Sequence, residues 1–319
     1  MPTLLRAPTR EYRTAIMDSH RWDGFVPRAD DIVIGTFAKC GTTWMQRIVD
    51  LLIFQTPDPR PVVVMAPWLD ATFFAPAEAN LATLAAQTHR RFVKTHMPFD
   101  SVPLYDTVKY IHVARDGLDA CMSFHNHSLG FRPEMRQRIA DVARQDAKLR
   151  PRDMETPEDP RQFYLNWIAA AEADVIEGSG IDLPFFEFEN TYWRERRRPN
   201  VLLVHYNDLK ADLAGEMTRI AGFLEIDVPR PVLPDLVMAA TFERMKKDGD
   251  ALMPTAQMAF DRGADRFLNK GTNNRWKDVL TRDDVARYEA LAARKWSQAT
   301  LSWVRNGRLV AGDPRTMPD

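Results

Sequence analysis

Lys39, Lys94, His96 and Arg115 each follow directly on a short apolar run of this 319-residue chain. Lys39 lies in Asp31-Ile-Val-Ile-Gly-Thr-Phe-Ala-Lys39-Cys-Gly41-Thr-Thr-Trp44. An apolar run, a turn of small residues and a helix opening on hydroxyls would gather backbone N–H groups and one lysine around an anion at a helix N-terminus. Nucleoside-triphosphate loops read Gly-Lys-Ser/Thr. Here the lysine precedes Gly41 by two residues, so the loop predicts a phosphate-like ligand other than ATP. In Arg91-Phe-Val-Lys94-Thr-His96-Met-Pro98, the lysine and histidine are two apart and share one face of a strand end that Pro98 stops. At the carboxyl edge of a sheet, where open α/β proteins bind ligands, they read as a base beside an electrostatic clamp. Arg115 ends the run Val108–Ala114, and Ser123 follows eight residues later in a helical pattern, so both can reach one anion. Phe267-Leu-Asn-Lys270-Gly271-Thr-Asn-Asn-Arg275-Trp276-Lys277 is a turn-prone loop with cations between aromatics.

Each stretch alone has an ordinary explanation. Gly41 could hinge a plain turn, His96 could be structural, Arg115 could pair with Asp116 or Asp119, and Lys270 could sit on a solvated turn. The functional reading rests on their shared position at strand ends.

The elements that must carry them follow from periodicity. Strands are expected at Ile32–Ile34, Val62–Met65, Arg91–Lys94, Val108–Val113 and Val201–Val204. Helices are expected at Thr43–Phe54, Leu118–Leu129, Glu134–Lys148, Arg161–Glu177, Leu209–Leu224, Arg230–Ala240 and Arg282–Trp296. Short apolar strands alternating with helices predict an α/β protein, its parallel sheet covered on both faces. Residues 1–319 read as one domain, with an irregular lead-in at 1–30, a surface loop at Arg150–Pro160, a mobile lid at 246–266 and a fraying tail at 306–319.

A net charge of −1 gives no global attraction to nucleic acid or anionic membranes, so an anion site must be built locally. Two cysteines make no disulfide framework. The first residues lack a signal peptide's apolar core and no apolar run approaches the roughly 20 residues of a membrane span, so a cytoplasmic location is expected.

In this order, the four stretches resemble the cytosolic-type sulfotransferases. The family's Tyr-Pro-Lys-Ser-Gly-Thr-Thr-Trp is similar to Phe37-Ala-Lys39-Cys-Gly-Thr-Thr-Trp44, and its Lys-Thr-His-Leu-Pro to Lys94-Thr-His96-Met-Pro98. Its Arg and Ser eight apart match Arg115 and Ser123. Its Arg-Lys-Gly-x-x-Gly-x-Trp-Lys resembles Asn269-Lys270-Gly271-Thr-Asn-Asn274-Arg-Trp276-Lys277. Val204-His-Tyr206-Asn-Asp208-Leu-Lys and Thr241-Phe242-Glu-Arg-Met245-Lys-Lys resemble two further family pieces. The likeness spans about residues 20–300.

That resemblance implies a three-layer, P-loop-like fold around a central, mostly parallel sheet. It implies transfer of a sulfuryl group from 3′-phosphoadenosine 5′-phosphosulfate (PAPS) to a hydroxyl or amine, leaving 3′-phosphoadenosine 5′-phosphate (PAP), without a metal. His96 would be the general base, and Lys39 and Lys94 would offset the leaving group's charge. The 5′-phosphate would lie on Lys39 and the amides of Cys40, Gly41, Thr42 and Thr43, the adenine between Trp44 and Phe242, and its edge against Tyr206 and Thr241. Arg115, Ser123, Lys270 and Gly271 would hold the 3′-phosphate, with Met245, Phe267, Leu268 and Asn269 completing the nucleotide site.

The chain departs from the pattern at three points. Asn269 replaces the arginine used on the 3′-phosphate, which Arg266 or Arg275 would have to replace; Asn274 stands for a glycine; and Cys40 stands for a serine, either as a filler or as a low-pKa thiol at a helix start. A dimer signature survives only at Lys277 and Thr281, with Arg282 and Ala286 elsewhere in it, so the oligomeric state stays open. The acceptor is expected to be a small molecule with an aromatic or lipidic body, lined by residues from among Trp68, Phe73, Phe74, Phe99, Phe124, Tyr192, Trp193 and Phe260, with His125 and His127 adding polarity. The alternatives are a catalytically silent PAP- or nucleotide-binding protein and a P-loop small-molecule kinase.

Overall fold

Alternation within the apolar runs builds two separate cores. The computed structural model describes residues 2–145, 155–173 and 185–319. Its main sheet contains β2 (Ile32–Thr36), β3 (Phe92–Thr95), β5 (Lys109–Ala114) and β6 (Val201–His205), parallel throughout in the order β3-β2-β5-β6. A separate two-stranded ribbon pairs β1 (Leu4–Arg6) with β4 (Leu104–Tyr105). Helices α1 (Thr42–Phe54), α2 (Val62–Met65) and α3 (Ala77–Ala86) separate β2 from β3. Between β5 and β6 lie α4 (Gly117–Leu129), α5 (Pro133–Gln145), α6 (Pro160–Glu172) and α7 (Phe185–Trp193). After β6 come α8 (Tyr206–Ala211), α9 (Leu213–Leu224), α10 (Leu233–Ala239) and α11 (Phe242–Lys247). The short turns α12 (Gly249–Leu252), α13 (Ala256–Ala259) and α14 (Gly263–Phe267) precede α15 (Arg282–Lys295), α16 (Gln298–Asn306) and α17 (Arg308–Ala311).

Side chains along a strand alternate between faces. Ile32 and Ile34 therefore pack with Ile48, Leu52, Ile220 and Leu236 of α1, α9 and α10. Val33 points the other way, into a core shared with Leu118, Ile168, Phe188, Tyr288 and Trp303 of α4, α6, α7, α15 and α16. The result is three layers, with every strand's carboxyl end emerging on one edge. No helix among the described residues is long and apolar enough to cross a membrane.

Several expected elements differ. Val62–Met65 is one helical turn, not a strand: it starts after Pro61, buries Val62 and exposes Val64. Trp68 meets the outer edge of β3 instead, through Lys94 N–H to Pro67 O (3.1 Å) and Leu69 N–H to Lys94 O (3.3 Å). The helix expected over Leu209–Leu224 breaks at Asp212, whose carboxylate accepts from Gly215 N–H and starts α9. Helices α5 and α6 end at Gln145 and Glu172; positions 146–148 and 174–177 of the expected helices, and 150–154 of the expected loop, lie outside the described residues. The tail, expected to fray, makes contacts with the body of the protein. Arg196 donates to the carbonyls of Pro314 and Met317 and pairs with Asp319, while Asp208 accepts from the N–H groups of Arg308 and Leu309. Residues 246–266, which show little periodicity, form single helical turns anchored by buried Leu252, Met253 and Phe260.

Candidate active site

The loop after β2 folds as an anion cradle. Lys39 (φ 68°) and Gly41 (φ 109°) both take left-handed backbone, which turns successive amides inward. No side chain caps α1, so its first-turn N–H groups have no capping partner. A Cβ on Gly41 would sit 3.1 Å from the Tyr206 ring, so close packing as well as φ demands glycine. The hydroxyls of Thr36 and Thr42 bond at 2.6 Å, tying strand end to helix start. Cys40 contributes only its backbone: its side chain is fully buried in the core, and burial pushes the thiol well above its ordinary range. That burial favours the filler reading of Cys40 over the low-pKa thiol.

His96 follows β3. Its Nδ1 lies 2.7 Å from the Thr36 carbonyl, which can only accept, so Nδ1 carries the proton and Nε2 keeps its lone pair. Burial, then Lys94, hold its pKa well below the usual histidine value. Trp68 stands edge-on to the imidazole at 4.8 Å, and Lys94 Nζ lies 4.4 Å above the Trp68 ring. Asp70 fixes this platform. Its buried carboxylate accepts from Trp68 Nε1, Trp22 Nε1 (3.0 Å) and Thr95 Oγ1. No motif marks Asp70 in the sequence.

Cations without acidic partners collect along the same edge. Among the described residues no carboxylate forms an ion pair with Lys39, Lys94, Arg115 or Arg275. Burial, then Arg115, push Lys39 down to about 7, and burial pushes Lys94 to about 8. Arg115 is 4% exposed, lies 4.1 Å over the Tyr206 ring, donates to Lys39 O and Asn273 Oδ1, and leaves its buried Nε without a partner. Arg275 lines the same cavity, and Arg115 lowers its pKa after burial does. Arg266 does not line it; its guanidinium is held by Asp261 at 2.6 and 2.8 Å. Asn274 takes left-handed backbone (φ 66°), as its place in a glycine position requires. Gly271 (φ 63°) packs so near Phe242 that a Cβ would lie 2.7 Å from the ring.

Lys39, Gly41, Lys94, His96, Arg115, Gly271 and Arg275 open on one cavity of about 570 Å³. Every catalytic and nucleotide-site residue expected from the sequence except Cys40 lines it. Trp44 is held by Nε1–H to Ala240 O (2.8 Å) and packs edge-on against Tyr206. The Thr241 hydroxyl is engaged at the start of α11, donating to Met238 O and accepting from Arg244 N–H. Trp68, Phe73, Phe74, Phe124 and Phe260 line the apolar half, but Phe99, Tyr192 and Trp193 are core residues, Phe99 stacked on Tyr192 at 4.9 Å. His127 reaches the cavity, whereas His125 turns away to Pro157 O (2.8 Å). Phe37 of the first motif also lines it, as do Ile16, Met17, Phe131 and Ile139, which carry no signal in the sequence. Among the described residues no group of three or more His, Cys, Asp or Glu side chains is placed to hold a metal ion.

A parallel sheet between helical layers, with an anion loop at its carboxyl edge, defines a P-loop-like α/β protein. The sulfotransferase domain matches residues 29–300. A glycolipid sulfotransferase of Mycobacterium bovis (strain BCG / Pasteur 1173P2) is 34% identical over 310 residues, 93% of this chain and 94% of that one. Sulfotransferase 1 family member D1 of Rattus norvegicus is 26% identical over 289 residues, 88% of each. In fold, the chain is similar to retinol dehydratase solved with androsterone and inactive cofactor PAP, at a TM-score of 0.66 and 21% identity over 88% of this chain and 84% of that one. The chain belongs to the sulfotransferase family, and its chemistry is transfer of a sulfuryl group to a small-molecule acceptor.

Proposed function

We propose that the sulfuryl donor is PAPS and that the acceptor presents a hydroxyl on an apolar, aromatic or lipidic body. The observation that carries this reading is His96. It lines a cavity whose wall interleaves cations with aromatic rings, and its Nε2 keeps a lone pair. A nucleotide phosphorylated at both 3′ and 5′ suits a run of cations, Lys39, Lys94, Arg115 and Arg275, that form no ion pair among the described residues. Lys39 and the amides of residues 40–43 would hold the 5′ end. Arg115, Ser123, Lys270 and Gly271 would hold the 3′-phosphate, and Arg275 stands where it can offset the loss at Asn269. Trp44 and Phe242 would flank the adenine, with Tyr206 and Thr241 at its edge and Met245, Phe267 and Leu268 around it.

The donor supplies the sulfuryl group, whose bond to a phosphate oxygen breaks as the bond to the acceptor oxygen forms. His96 Nε2 removes the acceptor proton, a contribution of about 10²–10⁴-fold. The Thr36 carbonyl holds the ring in the required tautomer. Lys39 and Lys94 offset the charge on the departing phosphate without a divalent cation. The apolar half, from Met17 to Phe260, favours a lipidic or aromatic acceptor, as does the 34% identity to a protein named for glycolipid sulfation.

The test is transfer of labelled sulfate from PAPS to a panel of phenols, sterols and glycolipids, with PAP and ATP affinities measured alongside. His96→Ala should cut turnover by about 10²–10⁴-fold while PAP affinity stays within a few-fold. Tighter binding of ATP than PAP, or a Mg²⁺ requirement, refutes the reading. PAP binding with no labelled product across the panel favours the silent nucleotide-binding alternative.

A further inference from the structure

A second histidine faces the cavity with the opposite polarity. His127, in the last turn of α4, is enclosed by aromatic rings: Phe260 at 4.7 Å, Phe131 at 4.9 Å and Phe267 at 5.5 Å between centroids. Its Nδ1 lies 3.4 Å from Lys39 Nζ. With a phosphate bound, whose charge keeps Lys39 an ammonium, Nζ has donors and no acceptor, so Nδ1 accepts and the proton of the neutral ring sits on Nε2. Burial and then Lys39 push this histidine well below its ordinary range, which keeps it neutral. Among the described residues nothing bonds His127 Nε2, although the residue lines the cavity. A donor in an aromatic enclosure is costly until it finds an acceptor.

His96 and His127 are thus complementary. At His96 the Nε2 is a lone pair, because Nδ1–H is tied to Thr36 O. At His127 the Nε2 is an N–H. The two rings share Lys39 and Lys94 as neighbours, and His96 adds to the lowering of the His127 pKa. A simple alcohol has one hydroxyl, which His96 takes. An acceptor with a second oxygen beside that hydroxyl satisfies both rings.

We propose that His127 is a specificity residue: its Nε2–H donates to a second oxygen adjoining the hydroxyl that is sulfated, so that the preferred acceptor head is a polyol or sugar ring on an apolar body. This rests on the acceptor reading given above and narrows it. Lys39 retains two further N–H donors for a phosphate while it orients His127.

The experiment titrates PAP-loaded protein with octyl β-glucoside and with 1-octanol, in the wild type, His127→Phe and His127→Gln. Phenylalanine keeps the ring and removes the donor, while glutamine restores an N–H. His127→Phe should weaken the glucoside about 3- to 10-fold and leave octanol within about twofold, and His127→Gln should recover most of the loss. The ratio of kcat/KM for the two acceptors should shift in the same way. Equal losses for both acceptors would make His127 structural, and an unchanged glucoside affinity would remove the contact; either overturns the proposal. If wild-type protein fails to bind PAP, the nucleotide reading fails instead, and the same titrations without PAP at pH 6, where Lys39 is an ammonium, still decide the His127 contact.

Discussion

Binding of a polyanion to this site should take up protons, by an amount set by the two depressed lysines. Lys39 stands at about 7 and Lys94 at about 8, each lowered first by burial. At pH 7.5 the first is about one-quarter protonated and the second about three-quarters. A bound phosphate favours the ammonium form of both, so PAP binding should draw in about one proton at pH 7.5 and about two at pH 9. The phosphates themselves ionise near pH 6 and so contribute little at pH 7.5. The sign follows directly: the complex is the more protonated state, so affinity for PAP weakens as pH rises through 7 and 8. Calorimetry at pH 7.5 in phosphate and in Tris measures this as the slope of binding enthalpy against buffer ionisation enthalpy. Lys39→Met should leave about one-quarter of a proton, and Lys94→Met about three-quarters, which separates the two contributions. A slope of zero in the wild type, or a net release of protons, would refute the argument that unpaired, buried lysines are waiting for the ligand's charge.

Two other expectations concern the base and its support. Because His96 is held well below the usual histidine value, the acid limb of kcat/KM should lie below pH 6.5, with the neutral, active form persisting beneath it. An acid limb at or above pH 6.5 would count against His96 as the base. Asp70→Ala should cost about 3 kcal/mol or more in urea unfolding, since it strands three buried donors on Trp22, Trp68 and Thr95. Turnover should fall too, as the Trp68 platform under His96 and Lys94 loosens; a loss below about 1 kcal/mol would mean that Asp70 is not the anchor of that platform.

The anion loop was legible because its chemistry is local. Strand, turn and helix start lie within fourteen residues, and the left-handed backbone at Lys39 and Gly41 follows from a short stretch of chain. Lys94, His96, Arg115 and Ser123 could be placed because a parallel sheet brings all strand ends to one edge, whichever strands are neighbours. Arginine 275 was a candidate in sequence; only folding distinguishes it from Arg266, which Asp261 occupies. The apolar wall was less accessible. Phe99, Tyr192 and Phe74 look alike in a sequence, yet two pack in the core and one faces the cavity, because burial depends on which elements stack. Val62–Met65 has the composition of a strand, but only the tertiary structure decides that Trp68 takes the place at the edge of β3.

The sequence by itself therefore determined the family and its sulfuryl-transfer chemistry, and the edge of the sheet at which the candidate site residues gather, since backbone amides, charge and strand ends are set by short-range order. Tertiary structure alone decided the polarity of each histidine. The Thr36 carbonyl makes His96 an acceptor and the Lys39 ammonium of the ligand-bound state would make His127 a donor, and both partners are more than fifty residues away along the chain.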